Sequence, residues 1–186
     1  MIEDEKIIEL FFCRSEHAIR ELDIKYGKLC HKLSYSILNS WQDAEECVND
    51  AYLGAWNAMP PTEPNSLQSY ICKIVRNTSL KRYHRKKAAK RNSSYDIAMQ
   101  ELENYLSAPD TVEAEIEAKE LAEIIENFLD TLSEKDCVIF MRRYWFCSTY
   151  AEIAKCAGIS EKNVSVRLTR IRKQMKDYLI KREVFM

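Results

Sequence analysis

The chain has 186 residues, of which 46% are hydrophobic and 31% charged, a balance typical of a soluble globular protein with one or two small domains. No apolar run approaches the roughly 18 residues that cross a bilayer, and the acidic start MIEDEK lacks the basic region of a signal peptide, so we expect a cytoplasmic protein with no membrane insertion. Seven cysteines without a C-x-x-C pair and three scattered histidines exclude the usual zinc and redox spacings, which predicts no metal site and no cofactor.

The net charge of −1 conceals blocks of opposite sign. Residues 67–95 contain 9 basic residues and no acid, and residues 137–182 contain 11 basic residues and 3 acids. Between them, residues 96–136 carry 13 acids and 2 bases. Two basic blocks separated by an acidic one predict two nucleic-acid contacts on one chain.

Two helices are predicted near the start, over residues 3–12 and 18–38, and a third over residues 43–59. The third has a core stripe at helical spacing, formed by Ala44, Val48, Tyr52, Ala55 and Met59. Its opposite face presents Glu46, Asn49, Asp50 and Leu53, which we call the docking face. No histidine, lysine or further carboxylate is predicted to converge on Glu46 and Asp50, so acid–base chemistry on this face is not supported. The docking face is therefore either a solvated helix surface or a surface for a basic partner, with the leucine supplying apolar area and the acids steering the encounter.

A proline-rich loop over residues 60–66 leads into a basic helix predicted over residues 67–91. Its buried stripe consists of Leu67, Ile71, Ile74, Val75 and Thr78. Its opposite side, which we call the stacking face, consists of Tyr70, Lys73, Asn77, Lys81, His84 and Arg85. An aromatic ring, an amide and cations can stack a base, bond its edge and neutralise phosphates, so this face predicts binding to a single nucleic-acid strand. The cationic tail HRKKAAKR at its end is either a backbone-binding patch or a frayed, solvated helix end.

Residues 92–112 are predicted to be an acidic linker, because NSSYD interrupts the helix and SAPD carries a proline. Its acids could mimic a nucleic acid in a basic channel or keep the linker extended and soluble, and the sequence favours the second. A helix is then predicted over residues 113–131, and another after a cap at Ser133. Together with the two helices that follow, they form a second, four-helix domain.

Residues 149–175 have the pattern of a helix-turn-helix. Thr149 and Glu152 are spaced as a capping box, Gly158 ends the first helix, and Ser160 can cap the second. The second helix has a buried stripe of Val164, Leu168, Ile171 and Met175. Its outward side consists of Lys162, Val166, Thr169, Arg170 and Lys173, with Ser165 and Arg172 flanking them. We call the outward residues together with Ser165 the groove face. Small, methyl-bearing and cationic side chains suit a major groove, although a solvated basic helix would show the same composition.

The order of these motifs resembles a bacterial sigma factor of the extracytoplasmic-function (ECF) group. The resemblance is carried by DAEECVNDAYLGAW, by SLQSYICKIVRNTSLKRYHRKK, and by LDTLSEKDCVIFMRRYWFCSTYAEIAKCAGISEKNVSVRLTRIRKQM. It implies an all-α protein of two small helical domains joined by an acidic linker, the second containing the helix-turn-helix. The domains would be a region 2-like domain over residues 1–91, the linker over residues 92–112, and a region 4-like domain over residues 113–186.

The resemblance also implies partners and sites. Core RNA polymerase would bind Glu46, Asn49 and Asp50, a flipped base of the melted minus-ten element would lie between the loop 60–66 and Asn77, and an anti-sigma factor is a common further partner. Minus-thirty-five DNA would be read by Ser165, Val166, Thr169 and Arg170, with Arg167 as a phosphate or structural contact. Three departures stand out: Tyr70 where the family usually has Trp, Asn49-Asp50 for its Gln-Glu, and Asn163-Val164-Ser165-Val166 for its Thr-Val-Lys-Ser. The last of these alters the readout surface itself.

Two other classes of protein share part of this pattern. A free-standing helix-turn-helix regulator that binds duplex DNA as a dimer would use the groove face, but it has no need of the docking or stacking faces. A nucleic-acid enzyme would need a convergent catalytic set, which the sequence lacks. The sequence therefore favours a non-enzymatic specificity subunit of RNA polymerase that directs transcription initiation.

Overall fold

The computed structural model describes residues 2–86, 93–106 and 118–182. Within these ranges the regular secondary structure is helical, which confirms the predicted all-α class. The helices are α1 (Asp4–Phe12), α2 (His17–Leu38), α3 (Trp41–Ala58), α4 (Leu67–Lys86), α5 (Ser94–Leu106), α6 (Ala118–Asp130), α7 (Glu134–Tyr144), α8 (Tyr150–Ala157) and α9 (Glu161–Ile180). They fall into two compact units, Met1–Ser93 and Ser94–Met186.

In the first unit α2, α3 and α4 pack against one another around one apolar core. The Ser40 hydroxyl caps α3 by accepting a hydrogen bond from the backbone N–H of Asp43. The whole predicted stripe of α3 is buried, and so are Leu67, Ile71 and Val75 of α4. Because these stripes face the core, the docking and stacking faces are turned toward solvent.

The predicted helix-turn-helix is confirmed as α8 and α9 of the second unit. Thr149 and Glu152 form the reciprocal capping box, and Ser160 caps α9 by accepting a hydrogen bond from the N–H of Asn163. Gly158 ends α8 with a φ of 65°, a left-handed conformation that suits glycine. The predicted stripe of α9 is buried in full. These caps and this stripe fix which side of α9 faces outward.

The predicted extended linker is wrong over residues 94–106, where the chain forms α5. Ala98 is fully buried, and Met99 and Leu102 pack against the core of the second unit. These three residues share one helical side, so α5 is held by its apolar stripe although three acids and two amides stand among its 13 residues. The second unit therefore begins at Ser94 rather than at residue 113. The rest of the predicted linker, residues 107–112, lies outside the described residues, as do residues 87–91 of the predicted basic tail.

Candidate nucleic-acid interfaces

The docking face is an exposed side of α3. Glu46, Asn49, Asp50 and Leu53 are all exposed, and Leu53 keeps 57% of its surface in solvent. Arg82 of α4 reaches this face and forms ion pairs with Asp43, at 2.8 Å, and with Glu46. Glu46 is thus shared between the docking face and the α3–α4 contact. The remaining members, Asn49, Asp50 and Leu53, are exposed and supply one polar, one acidic and one apolar side chain.

A groove of about 770 Å³ runs beside the docking face between α2 and α3. Asn49 and Leu53 line one side of it, and Ile19 and Arg20 line the other. The Tyr52 hydroxyl, also part of its lining, donates a 2.9 Å hydrogen bond to Asp23 of α2. The exposed leucine therefore borders a shallow, open groove lined by both polar and apolar side chains.

The stacking face is exposed along α4. Lys73, Asn77, Lys81, His84 and Arg85 are exposed, and Tyr70 is half-buried at the start of the row. A half-buried ring is held by the protein on one side and presents its remaining surface outward, as a stacking platform requires. The structure thus places the aromatic, amide and cationic groups on one accessible side of a single helix, as predicted from their spacing.

The groove face is exposed along α9. Lys162, Thr169, Arg170 and Lys173 are exposed, Val166 keeps 41% of its surface in solvent, and Ser165 is half-buried. The exposed part of this valine gains nothing from contact with water, whereas a thymine methyl in a major groove would offer it an apolar contact. The geometry of the groove face matches the predicted surface.

Two arginines of α9 are engaged by the protein instead. Arg167 pairs with Asp136 of α7, with Nη1 and Oδ1 2.6 Å apart, which favours the structural reading of this residue. Arg172, predicted to flank the groove face, is only 6% exposed, and that prediction is wrong. Helical spacing misplaced it because an acid that lies far away in sequence draws its guanidinium inward.

That acid is Glu101 of α5, which also holds Arg143 of α7. Its Oε1 and Oε2 accept hydrogen bonds from Arg143 Nη2 and Nε at 2.7 and 3.0 Å, and Oε2 lies 3.3 Å from Arg172 Nη1. Arg172 Nη1 also donates to the Tyr144 hydroxyl at 2.9 Å. Burial raises the pKa of Tyr144 to about 12, against the opposing effect of Arg172, so the phenol stays protonated at neutral pH. We call this group, Glu101, Arg143, Tyr144 and Arg172, the α5 cluster.

The described ranges contain no helix that is both long and apolar enough to cross a membrane. In the same parts of the chain, no three or more histidine, cysteine, aspartate or glutamate side chains gather as a metal site would require. The expected absence of a cofactor stays a prediction.

Two family models match the chain, one described as Sigma-70 region 2 over residues 24–89 and the other as Sigma-70, region 4 over residues 122–175. The first contains the docking and stacking faces, the second contains the groove face, and α5 lies outside both. Among solved structures, that of CnrH in complex with the cytosolic domain of CnrY is similar at 18% identity and a TM-score of 0.45, over 96% of this chain and 97% of that chain. That likeness is too weak to carry further argument. No curated relative matches the chain.

Proposed function

The chain belongs to the sigma-70 family, and from this membership we propose that it binds core RNA polymerase through the docking face and contacts two promoter elements through the stacking and groove faces. Its two matched regions cover more than half of the chain, and region 4 follows region 2 in the order typical of the ECF group. A sigma factor recognises promoters and does not itself catalyse RNA synthesis. The finer assignment of surfaces to polymerase, minus-ten and minus-thirty-five DNA is our proposal.

One observation carries the assignment of the docking face: an exposed leucine and exposed acids share one side of α3 beside an open groove. Apolar area beside charges of one sign suits a partner surface that is basic and partly apolar, because complementary charge speeds the encounter and burial of the leucine stabilises the complex. Polymerase, the partner implied by family membership, would occupy that face. An anti-sigma factor that competes for the chain stays a prediction.

The two DNA contacts would have different roles in promoter recognition and opening. The groove face would read duplex bases of the minus-thirty-five element through Val166, Thr169 and Arg170. The stacking face would hold the melted minus-ten strand, with Tyr70 stacking a base, Asn77 bonding a base edge and the cations contacting phosphates. Flipping a base out of the duplex costs a few kcal/mol, which these contacts would offset.

A free-standing helix-turn-helix regulator is the rival reading. It would account for α8 and α9, but it assigns no role to the first unit, which contains the region 2 match. Such a regulator would not depend on the docking face for any contact with core polymerase, whereas a sigma factor would. That difference gives a direct test.

We expect Asp50→Arg to abolish co-purification of the chain with core RNA polymerase, because it places a cation against a basic partner. Asp50 is preferable to Glu46 for this test, since Glu46→Arg would also oppose Arg82 and disturb the α3–α4 contact. Glu5→Arg, an equal change of charge at an exposed position of α1, serves as the control and should leave binding intact. Unchanged polymerase binding in Asp50→Arg would refute the proposed docking face.

A further inference from the structure

We propose that Glu101 is a positioning residue for promoter reading: acting through Arg172, it fixes the Thr169 hydroxyl within the protein, so that Thr169 meets DNA through its methyl group. This inference rests on the proposed function of the groove face. It concerns α5, which both family matches leave out.

The α5 cluster is built to hold Arg172 in one orientation. Arg143 and Arg172 are 3% and 6% exposed, so their charges need a partner inside the protein. The Glu101 carboxylate bonds both guanidinium groups, and the fork of Arg143 engages it through two nitrogens. A two-point contact fixes the carboxylate, and the fixed carboxylate then limits where Arg172 can lie.

From that position Arg172 reaches the groove face. Its Nη2 donates a hydrogen bond to Thr169 Oγ1 at 3.1 Å. The same Thr169 hydroxyl donates to the backbone carbonyl of Ser165 at 2.9 Å. The hydroxyl therefore accepts one bond and donates another inside the protein, and its single proton is used.

A threonine whose hydroxyl proton is engaged in this way cannot donate a hydrogen bond to a base, whereas its methyl group remains available for contact. Val166 lies one helical turn before Thr169 and is also exposed, so the two residues present methyl groups on one side of α9. Methyl groups contact the 5-methyl of thymine favourably in a major groove. The geometry thus points to thymine preference at the bases that Val166 and Thr169 face.

Arg143 extends the same control to the turn before α8. Its Nη1 donates to the Ser148 carbonyl at 3.0 Å, next to the capping residue Thr149. Glu101 consequently braces both helices of the helix-turn-helix, one through each arginine. Through these two arginines, α5 belongs to the machinery that reads DNA.

The test uses full-length protein with core polymerase and a library of promoter duplexes randomised across the upstream element. Transcripts are sequenced, and the ratio of thymine to the other bases is measured at each position. Wild type should favour thymine at one or two positions, and Glu101→Gln should lower that ratio about fivefold or more, the scale of a lost base contact. Glu123→Gln removes the same charge from an exposed position of α6 and should leave the ratio unchanged.

A loss of folded protein lowers transcription from every promoter equally and leaves the base ratio unchanged, so the ratio separates positioning from mere stability. If Glu101→Gln does not fold, Arg172→Lys provides the second variant, because it keeps the cation but loses the fork that joins Glu101 to Thr169. Replacing the preferred thymine by uracil removes only its methyl group; it should weaken wild type and have a smaller effect on either variant.

An unchanged base ratio in a folded variant, or equal sensitivity to uracil, would overturn the proposal. A wild-type protein that directs transcription without any upstream preference would instead refute the proposed role of the groove face itself.

Discussion

Helices α4 and α9 are both 20 residues long and both basic, yet they are anchored in different ways. Arg82 holds α4 to Asp43 and Glu46 of α3, the helix that carries the docking face. Arg167 and Arg172 hold α9 to acids of α7 and α5, within its own unit. Each anchor lies within one unit, but the stacking face is tied to the helix that carries the surface proposed for polymerase, whereas the groove face is tied to α5 and α7, which carry none of the three faces.

The number of basic residues on each helix therefore exceeds the number available for DNA contacts. Each helix uses arginine to set its own position, and the side chains that remain exposed are the ones available to nucleic acid. On α9 the exposed cations of the groove face are Lys162, Arg170 and Lys173.

The largest effect is expected from Leu168→Ala in the core beneath the groove face. Leu168 is fully buried, and the truncation should lower the free energy of unfolding of the second unit by about 2–5 kcal/mol. The stacking face and the groove face belong to separate units. Binding of single-stranded minus-ten DNA should therefore survive while binding to the upstream duplex is lost. Denaturant unfolding and both binding assays would check this, with Leu22→Ala as the reciprocal change in the first unit. Simultaneous loss of both activities in Leu168→Ala would show that the units do not act separately.

Asn77→Ala should weaken capture of single-stranded minus-ten DNA by about 1–3 kcal/mol, because it removes an amide that bonds a base edge. Binding to core polymerase should not change, since Asn77 lies outside the docking face. Fluorescence anisotropy with a labelled oligonucleotide measures the first quantity and co-purification the second. Gln68→Ala, which removes another exposed amide of α4, is the control. Equal losses in both assays would assign Asn77 a structural role.

Arg170→Ala should reduce the preference for the correct upstream duplex by about 1–3 kcal/mol at one base position. Lys173→Ala should instead weaken binding to all sequences alike. It should also reduce the slope of the logarithm of the binding constant against the logarithm of salt concentration by about one. The two variants, compared in duplex competition assays at several salt concentrations, separate base reading from phosphate contact on one helix. A uniform loss in Arg170→Ala would mean that it touches only phosphate.

The smallest effect is expected from Arg167→Ala. Its ion pair with Asp136 is partly exposed, so its loss should cost at most about 1 kcal/mol of stability and change base preference little. A double-mutant cycle with Asp136→Ala, followed by denaturant unfolding, would measure the coupling of the pair. If the variant instead loses base preference as strongly as Arg170→Ala, then Arg167 contacts DNA and its main role is not to hold α9 to α7.

Local patterns in the sequence were sufficient for most of the fold. The stripe of α3, the capping box of α8 and the stripe of α9 depend on residues a few positions apart, so their spacing alone predicts them. Helix α5 was not predicted, because its buried side consists of only a few apolar residues that stand between acids and amides in the sequence. Such a helix gains its stability from the unit on which it packs, and that contact is invisible in local spacing.

The same difference between local and distant contacts separates the predicted from the missed features of the candidate sites. Exposure of the docking, stacking and groove faces follows from the buried stripes opposite them, and their positions were predicted. The engagement of Arg172 by Glu101 and of Glu46 by Arg82 was missed, because each pair joins residues far apart in the chain. Nothing in the sequence marks Glu101 among the other acids of its block.

If one chain directs core polymerase to promoters through two DNA contacts, it should determine where in-vitro transcription on genomic DNA begins. Core polymerase with the purified protein should start at defined sites that share an upstream and a downstream element. Start-site mapping with Arg170→Ala should relax the upstream element alone, and Asn77→Ala should weaken use of the downstream element alone. Start sites identical to those of core polymerase without the protein would contradict the account.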